Sequence, residues 1–337
     1  MIAILLADKP EKIRSVYGLI DFSLPPFNFQ NINFYTKMDI INSDKTKFEE
    51  VKYIFSTWYM PVFTEREISE YFPSLEVIFY AAGTVKYFAE PFLKSGIKVY
   101  SAAKANGIAV AEFAAAQIIL ANKGYFQAQN ECKKKILKKS FDRTRSYAIS
   151  RGGNYKTKIG IIGLGAIGTQ VVQLLKPYEL DIYVTDPYVS SEKIYALKVK
   201  RMELSKLFET CDVISNHLPD TSETKKILDY SLFTKMKSTA TFINTGRGAQ
   251  VNEKGLAKAL REKKYRCAVL DVTAHEPLWP WNSLRWLKNV FISPHIAGSL
   301  SNEEHRMADY MRVAYKDYLA GRKNESEVTL EMLKTMA

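Results

Sequence analysis

The chain has 337 residues, of which 47% are hydrophobic, and this is enough apolar material for two cores rather than one. Its three cysteines, Cys132, Cys211 and Cys267, form no C-x-x-C pair, which argues against a disulfide framework and a thiolate metal site. The net charge of +12 is compatible with contact to nucleic acid or an acidic membrane, but no nucleic-acid-binding motif accompanies it, so neither partner is expected.

Short β-rich runs alternate with helical patterns in the first part of the chain. The run from Ile2 to Ala7 is too short for a secretory signal and lacks a basic segment before it, so it predicts a strand. Further strands are predicted at 51–58, 75–82 and 97–102. This alternation predicts a parallel sheet.

A long alanine-rich helical stretch follows, from Val110 to Lys139, with Gly124 as the residue expected to interrupt it. Neither sheet needs such a helix, so we place a domain junction near its start. Its most apolar part, Ile108 to Ala121, is interrupted by polar residues and is expected to fall short of a membrane span. A cytoplasmic protein is therefore expected.

A second alternating series begins at Lys158. Its predicted strands are 158–162, 181–185, 212–216, 240–244, 266–271 and 290–293, and they predict a doubly wound α/β domain. Residues 301–319 form an amphipathic helical pattern that is expected to pack back on the first domain. The predicted domains are therefore a discontinuous one, residues 1–103 and 299–337, and an inserted one, residues 104–298.

Lysines cluster near the end of the alanine-rich stretch. The cluster comprises Lys133, Lys134, Lys135, Lys138 and Lys139, followed by Arg143 and Arg145. The pattern favours a solvated helix end, although a positive field that attracts an anionic substrate or cofactor is also consistent with it.

The run from Lys158 to Gly168 places a G-x-G-x-x-G pattern between a buried strand and a helix. Gly163 allows the tight turn, Gly165 lets a pyrophosphate approach the backbone, and Gly168 lets the helix pack closely on the strand. The helix N-terminus supplies amides and a positive dipole. These features predict a dinucleotide-binding turn.

Asp186 lies eighteen residues beyond Gly168, at the end of the next predicted strand, where a carboxylate can accept the adenosine ribose hydroxyls. A carboxylate repels a 2′-phosphate, and Pro187 follows it rather than an arginine. The combination favours NAD over NADP. A glycine turn with a strand-end aspartate and no ligand is the alternative.

Three polar side chains follow later strands, at the sheet edge where open α/β sheets bind ligands. Arg247 lies between glycines, and its guanidinium can bind a carboxylate through two hydrogen bonds. Glu276 beside His295 would fix the imidazole tautomer and stabilise the imidazolium, giving an acid that protonates an alkoxide. Taken singly, Arg247 is equally consistent with a turn residue and His295 with a structural histidine.

Further segments accompany the glycine turn and Asp186. They are Asn216-His-Leu-Pro-Asp-Thr221 with Thr224, Ile243-Asn-Thr-Gly-Arg-Gly248, Leu270-Asp-Val272, Glu276-Pro277 and Pro294-His295. Together these motifs resemble the D-isomer-specific 2-hydroxyacid dehydrogenases over most of the chain. The spacings of 29 residues from Arg247 to Glu276 and 19 from Glu276 to His295 are common in that family.

The resemblance implies a Rossmann NAD-binding domain inserted into a flavodoxin-like substrate domain. It implies that Arg247 orients a 2-oxo acid, that His295 is the acid and base with Glu276 as its partner, and that Asp271 holds the nicotinamide amide. No metal is required. Other residues that the resemblance assigns to the cofactor are Ala166, Ile167, Pro187, His217, Leu218, Pro219, Thr224, Thr245, Gly246 and Gly298.

The resemblance also implies a substrate loop in the first domain, where the amides of Gly83 and Thr84 would hold the substrate carboxylate. This loop departs from the commoner pattern, because Val85 and Lys86 stand where an aspartate or asparagine is usual. Two interpretations apply to five apolar residues, which either shape a side-chain pocket or pack ordinarily: Trp58, Tyr59, Met60, Trp279 and Trp281. The long helix resembles a dimer-contact segment, so a homodimer is implied.

The predicted function is hydride transfer between NAD(H) and a small 2-oxo or 2-hydroxy acid, D-stereospecific by family resemblance. The alternative is an NAD(H)-sensing binding protein of the corepressor kind, since the same fold serves in both and the lysine cluster gives a surface for partners. Formate is a disfavoured substrate, because formate-specific relatives carry glutamine where Glu276 stands. A short phosphoglycerate enzyme stays open.

Overall fold

The computed structural model describes residues 1–132, 138–149, 151–263 and 265–335. The described part of the chain leaves out Lys133, Lys134 and Lys135, and also the side chains of Lys138 and Lys139. The predicted role of this cluster therefore stays a prediction.

The strands are short and mostly buried. In chain order they are β1 (Ala3–Leu6), β2 (Asn33–Tyr35), β3 (Tyr53–Ser56), β4 (Val77–Tyr80), β5 (Lys98–Ser101), β6 (Tyr155–Ile162), β7 (Glu179–Thr185), β8 (Lys200–Arg201), β9 (Val213–Asn216), β10 (Thr241–Asn244), β11 (Cys267–Leu270), β12 (Val290–Ile292) and β13 (Glu327–Val328).

The helices connect these strands. They are α1 (Pro10–Tyr17), α2 (Lys37–Asn42), α3 (Glu65–Tyr71), α4 (Ala89–Lys94), α5 (Ala103–Asn122), α6 (Tyr125–Cys132), α7 (Lys138–Ile149), α8 (Ala166–Leu175), α9 (Ser191–Leu197), α10 (Leu204–Thr210), α11 (Tyr230–Lys235), α12 (Glu253–Glu262), α13 (Asn302–Leu319) and α14 (Met332–Thr335). Short 3-10 helices cover Lys45–Phe48, Gly248–Gln250 and Ser283–Trp286.

The first compact unit comprises residues 1–109 and the residues from 299 on. Its six-stranded sheet has the order β13-β5-β4-β3-β1-β2, in which β1 to β5 are parallel and β13 pairs antiparallel with β5. The order 2-1-3-4-5 is that of flavodoxin-like sheets. Helix α13 buries Met307, Met311 and Tyr315 in one of the two cores of this unit, so the unit is discontinuous in sequence.

The second compact unit comprises residues 110–298. Its parallel seven-stranded sheet has the order β12-β11-β10-β9-β6-β7-β8, and strand order reverses at β6, as in the Rossmann arrangement. Apolar clusters cover both faces, which explains why its central strands are apolar without alternation. The predicted fold class is confirmed. The predicted junction at residues 103 and 104 coincides with the start of α5, six residues before the division between the units.

Helix α5 begins at Ala103 rather than near Val110, and Gly124, with φ +66°, separates it from α6 as expected. Contrary to the sequence prediction, this 20-residue helix is long and apolar enough to cross a membrane by length and composition alone. However, 56% of the most apolar 18-residue stretch of α5 is buried within the protein, and the core helices of globular domains also meet these criteria of length and composition. Strands β2, β8 and β13 were not predicted, because two or three residues at a sheet edge carry no clear periodicity.

Candidate active site

The glycine turn lies between β6 and α8, and steric contacts require glycine at two of its three positions, Gly163 and Gly168. Gly163 has φ +86°, and a Cβ there would lie 2.7 Å from the carbonyl oxygen of His217. A Cβ on Gly168 would lie 2.1 Å from the carbonyl oxygen of Gly163, so the helix can approach the turn only without a side chain. A Cβ on Gly165 would meet no atom of the described residues within 4 Å. The open space thus lies over Gly165, at the start of α8, where the amides of Ala166 and Ile167 follow.

Asp186 follows β7, and its carboxylate is hydrogen-bonded to the backbone of the glycine turn. Its Oδ2 accepts from the Leu164 backbone at 2.7 Å, and its Oδ1 accepts from the Tyr188 backbone at 2.9 Å. The Nζ of Lys193 donates to the Leu164 carbonyl at 2.8 Å, which places a cation beside the same turn. Sequence reasoning considered only Pro187, the immediate neighbour, and missed Lys193, which lies in the first turn of α9.

Arg247 follows β10 on a loop that packs tightly against the segment before Glu276. Its Nη1 donates to the Gly246 carbonyl at 2.9 Å, and the residue is half-buried. A Cβ on Gly248 would lie 2.0 Å from the backbone carbon of Thr273, so no side chain fits between these two segments. Gly248 therefore brings the arginine loop into backbone contact with the segment that leads to Glu276.

Glu276 and His295 form a hydrogen-bonded pair, with 2.7 Å between Glu276 Oε2 and His295 Nδ1. About half of the imidazole side chain is exposed, at 51%. The other carboxylate oxygen, Oε1, accepts from the Thr273 backbone at 3.3 Å, which orients the carboxylate. Because Nδ1 is engaged by Glu276, Nε2 is the imidazole nitrogen left for a reacting group.

Asp271 organises the loop that carries His295. It is 3% exposed, and its carboxylate accepts from the Ser293 hydroxyl at 2.6 Å and from the backbones of Ile296 and Ala297 at 2.9 and 2.8 Å. The His295 backbone amide in turn donates to the Asp271 carbonyl at 3.0 Å, with φ +55° at His295. The structure thus gives Asp271 a positioning contact, and its predicted contact with nicotinamide stays a prediction.

The segment after β9 contributes a neutral histidine. Only part of His217 reaches the surface, its ring bonds to the Ser215 hydroxyl at 2.9 Å, and burial lowers the pKa of the imidazole to about 4. The carbonyls of Leu218 and Pro219 both accept from Gln250, at 2.8 and 2.9 Å. Thus the charge at His217 is absent near neutral pH, and this segment is held by hydrogen bonds from another loop.

Two observations fit a dinucleotide in this unit. The hydroxyl of Thr245 is buried and has no hydrogen-bond partner among the described residues, so it is available to a ligand. The open space over Gly165, beside a helix N-terminus, accommodates a phosphate. Gly246 and Gly298 lie on the loops of Arg247 and His295, and the Thr224 hydroxyl donates to the Pro219 carbonyl at 2.7 Å, closing the turn after His217.

The predicted substrate loop lies in the first unit, after β4. The Ser101 hydroxyl donates to the Gly83 carbonyl at 2.6 Å, and the Thr84 hydroxyl accepts from the Lys86 backbone at 3.4 Å. Among the predicted pocket residues of this unit, Trp58 is partly buried against the core and Tyr59 is exposed, whereas Met60 is 2% exposed and is therefore a packing residue.

Aromatic side chains surround the Glu276 segment in the second unit. Trp279 stacks on His275 with ring centroids 4.1 Å apart, and Trp281 lies 5.0 Å from Trp279. Both indoles are exposed, at 44% and 73%. Their predicted role in a side-chain pocket stays a prediction.

The buried side-chain amides of Asn216 and Gln250 lie behind Arg247, and neither residue was predicted to be functional. Asn216 ends a buried strand, a position where a polar side chain needs an explanation. Its partner Gln250 lies 34 residues further on, so the pair could not be recognised from local sequence.

A family model, D-isomer specific 2-hydroxyacid dehydrogenase, NAD binding domain, matches residues 115–297. The chain belongs to the D-isomer specific 2-hydroxyacid dehydrogenase family. This confirms the family that the motifs predicted, and it agrees with the prediction of NAD as cofactor.

Relatives within the family carry several names. The chain is 31% identical to a glyoxylate reductase of Thermofilum pendens over 80% of this chain and 79% of that protein. It is 36% identical to a D-3-phosphoglycerate dehydrogenase of Archaeoglobus fulgidus over 60% of this chain but only 37% of that protein. The chain spans 37%, 41% and 49% of the length of three phosphoglycerate dehydrogenases that it matches.

Solved structures share the fold. One is the NAD-complexed form of a D-isomer specific 2-hydroxyacid dehydrogenase from Lactobacillus delbrueckii ssp. bulgaricus, with a TM-score of 0.73, 19% identity and coverage of 97% of this chain and 100% of that chain. At this identity the likeness supports the two-domain α/β fold and no closer functional assignment.

Proposed function

We propose that the protein is an NAD-dependent oxidoreductase that interconverts a small 2-oxo acid and the corresponding D-2-hydroxy acid. The observation that carries the proposal is the 2.7 Å hydrogen bond between Glu276 and His295. The segment that leads to Glu276 packs directly against the loop of Arg247, with no side chain between the two backbones. These groups combine a carboxylate-binding cation with a proton donor. Family membership supports the same chemistry and suggests the D configuration.

The dinucleotide would be held by the glycine turn, by Asp186 at its ribose and by the free Thr245 hydroxyl, with Asp271 at the nicotinamide amide. When bound as NADH, it supplies the hydride that adds to the carbonyl carbon of the substrate. Gly83 and Thr84 keep their proposed role as amide donors to the substrate carboxylate.

Arg247 would bind the substrate carboxylate and polarise the adjacent carbonyl, because its planar guanidinium offers paired donors that match a carboxylate. The His295 Nε2–H would donate its proton to the carbonyl oxygen, so the carbon gains a hydride and the oxygen a proton. Glu276 stabilises the imidazolium before transfer and keeps Nδ1 protonated afterwards. In the oxidative direction neutral His295 accepts the hydroxyl proton.

The test is a panel of 2-oxo acids, including glyoxylate, hydroxypyruvate, pyruvate and branched and aromatic members, assayed with NADH and NADPH side by side. We expect oxidation of NADH with at least one acid and a preference for NADH, because Asp186 repels a 2′-phosphate. Binding of NADH without turnover of any acid would reject the proposal. Chiral analysis of the product tests the D configuration.

We also propose, from family resemblance, that the chain forms a cytoplasmic homodimer without a nucleic-acid or membrane partner. Sedimentation of the full chain tests the dimer, and a monomer at micromolar concentration would reject it. The sensing alternative rests on the lysine cluster at 133–139, whose side chains lie outside the described part of the chain, and no other observation favours it. Catalysis is therefore the function proposed.

A further inference from the structure

Three side-chain amides, Asn216, Asn244 and Gln250, lie buried behind Arg247, each with 0% exposure. The Asn216 Nδ2 donates to Asn244 Oδ1 at 2.9 Å and to Gln250 Oε1 at 2.6 Å. These bonds join the ends of β9 and β10, the neighbouring strands that carry the proposed cofactor segment and the proposed substrate arginine.

Gln250 uses both ends of its amide to connect the two loops. Its Oε1 accepts from Asn216 and also from the Arg247 backbone amide, the latter at 3.2 Å. Its Nε2 donates both of its hydrogens, to the carbonyls of Leu218 and Pro219. A side-chain amide whose two donors and two acceptor positions are all occupied has a single orientation, so it fixes the distance between the loops.

The arginine backbone is held from its other side as well. Asn244 Nδ2 donates to the Arg247 carbonyl at 3.2 Å, and Asn244 Oδ1 accepts from the Gly246 amide at 3.1 Å. A Cβ on Gly246 would lie 2.8 Å from Gln250 Oε1, so glycine is required for Gln250 to reach this position. Both peptide groups that flank the Arg247 Cα are therefore anchored to buried amides.

We propose that Gln250 is a positioning residue that sets Arg247 against the Leu218–Pro219 segment, and so against the segment proposed to hold the cofactor. This inference rests on the proposed function, because it assigns Arg247 to the substrate. A guanidinium whose backbone is locked at both peptide groups is preorganised, and a misplacement of about 1 Å can cost about 100-fold in rate.

The test compares Gln250→Met with Gln127→Met. Gln127 is a matched control because it is also a buried glutamine of the same unit, 6% exposed, whose Nε2 donates to the Tyr265 carbonyl at 3.3 Å. Gln127 lies on α6 and contacts Thr241, the first residue of β10, whereas Arg247 follows the opposite end of that strand. Both substitutions remove a buried amide of equal size, so a general loss of stability affects both.

Two readouts separate positioning from stability. Hydrogen–deuterium exchange of the Arg247 amide is expected to accelerate about 10-fold or more in Gln250→Met and to stay unchanged in Gln127→Met, because Gln250, and not Gln127, accepts from that amide. The kcat/KM for the 2-oxo acid is expected to fall about 10- to 100-fold in Gln250→Met, with most of the loss in kcat, and less than about threefold in Gln127→Met.

Gln250→Glu supplies a second variant should the methionine variant not fold. It keeps the oxygen that accepts from Asn216 and Arg247 but replaces the donors to Leu218 and Pro219, so we expect Arg247 exchange near the wild-type rate and lowered kcat/KM. Equal losses of kcat/KM in the Gln127 and Gln250 variants, or unchanged values in both Gln250 variants, would overturn the proposal. Exchange is measured without substrate, so it tests the anchoring of Arg247 independently of catalysis. If exchange accelerates in Gln250→Met but the wild type reduces no 2-oxo acid, the proposed function is rejected and the anchoring of Arg247 by Gln250 stands.

Discussion

His217 makes the stability of the second unit depend on pH in a way that follows from its burial. Burial holds the pKa of its imidazole at about 4 in the folded protein, against 6.5 for an ordinary histidine. Above pH 6.5 the residue is neutral in both folded and unfolded chains. Between pH 6.5 and pH 4, His217 is protonated in the unfolded chain and neutral in the folded chain, so the free energy of unfolding falls as the pH falls.

The size of this loss follows from the same two values. Each pH unit in the window is worth about 1.4 kcal/mol, so the residue lowers the free energy of unfolding by about 2 kcal/mol between pH 6.5 and 5.0. For a unit of this size that corresponds to about 4 to 8 °C in Tm. The perturbation is His217→Gln, which cannot titrate and can still bond to the Ser215 hydroxyl.

The assay is thermal or urea unfolding of the ligand-free protein at pH 7.5 and pH 5.0. We expect the difference between the two pH values to shrink by about 2 kcal/mol in His217→Gln, whatever its stability at pH 7.5. Ser215→Ala is the control, and it is expected to keep the wild-type pH dependence because burial, not the hydroxyl, lowers the pKa of His217. The same pH dependence in wild type and His217→Gln would refute the reasoning.

Three further predictions concern the proposed site. Gly168→Ala is expected to lower the free energy of unfolding of the second unit by about 1 to 3 kcal/mol in urea, because of the two glycines Gly168 and Gly165 it is Gly168 that lacks room for a Cβ. Gly165→Ala is expected to change that free energy by less than about 1 kcal/mol and to weaken NADH binding. Equal destabilisation by both substitutions would contradict this. Asp186→Ala is expected to raise the NADPH to NADH ratio of kcat/KM by about 10-fold or more, and an unchanged ratio would remove Asp186 from cofactor selection. Glu276→Gln is expected to lower kcat by about 100-fold or more at unchanged NADH affinity, and a kcat near wild type would show that the carboxylate charge is not used.

The glycine turn was predictable because its requirements are local. The tight turn at Gly163 and the close approach at Gly168 each follow from a motif placed between a strand and a helix, and the structure has the expected φ and contact distances. Strands with four or more apolar residues were likewise predicted within a few residues, since burial on both sheet faces leaves a continuous apolar run.

Apart from the Glu276–His295 pair, which the motifs indicated, contacts between distant segments were not predictable. Gly248 is needed because the backbone at Thr273 lies against it, and Gln250 matters because two strand ends bring it to Asn216. Lys193 was missed for the same reason, since its position beside Leu164 depends on how α9 folds over the turn. Sequence spacing predicts which residue types are present at the sheet edge, and the register of the strands decides which of them touch.

The most direct test of the proposed chemistry compares wild type with His295→Asn in the reduction of a 2-oxo acid by NADH, followed by loss of NADH absorbance, with NADH affinity measured separately. We expect turnover by the wild type and a fall in kcat of about 100- to 10,000-fold in the variant at equal NADH affinity, because the variant keeps the cofactor site and loses the proton donor. A variant as active as the wild type, or a wild type that binds NADH and reduces none of the acids, would contradict it.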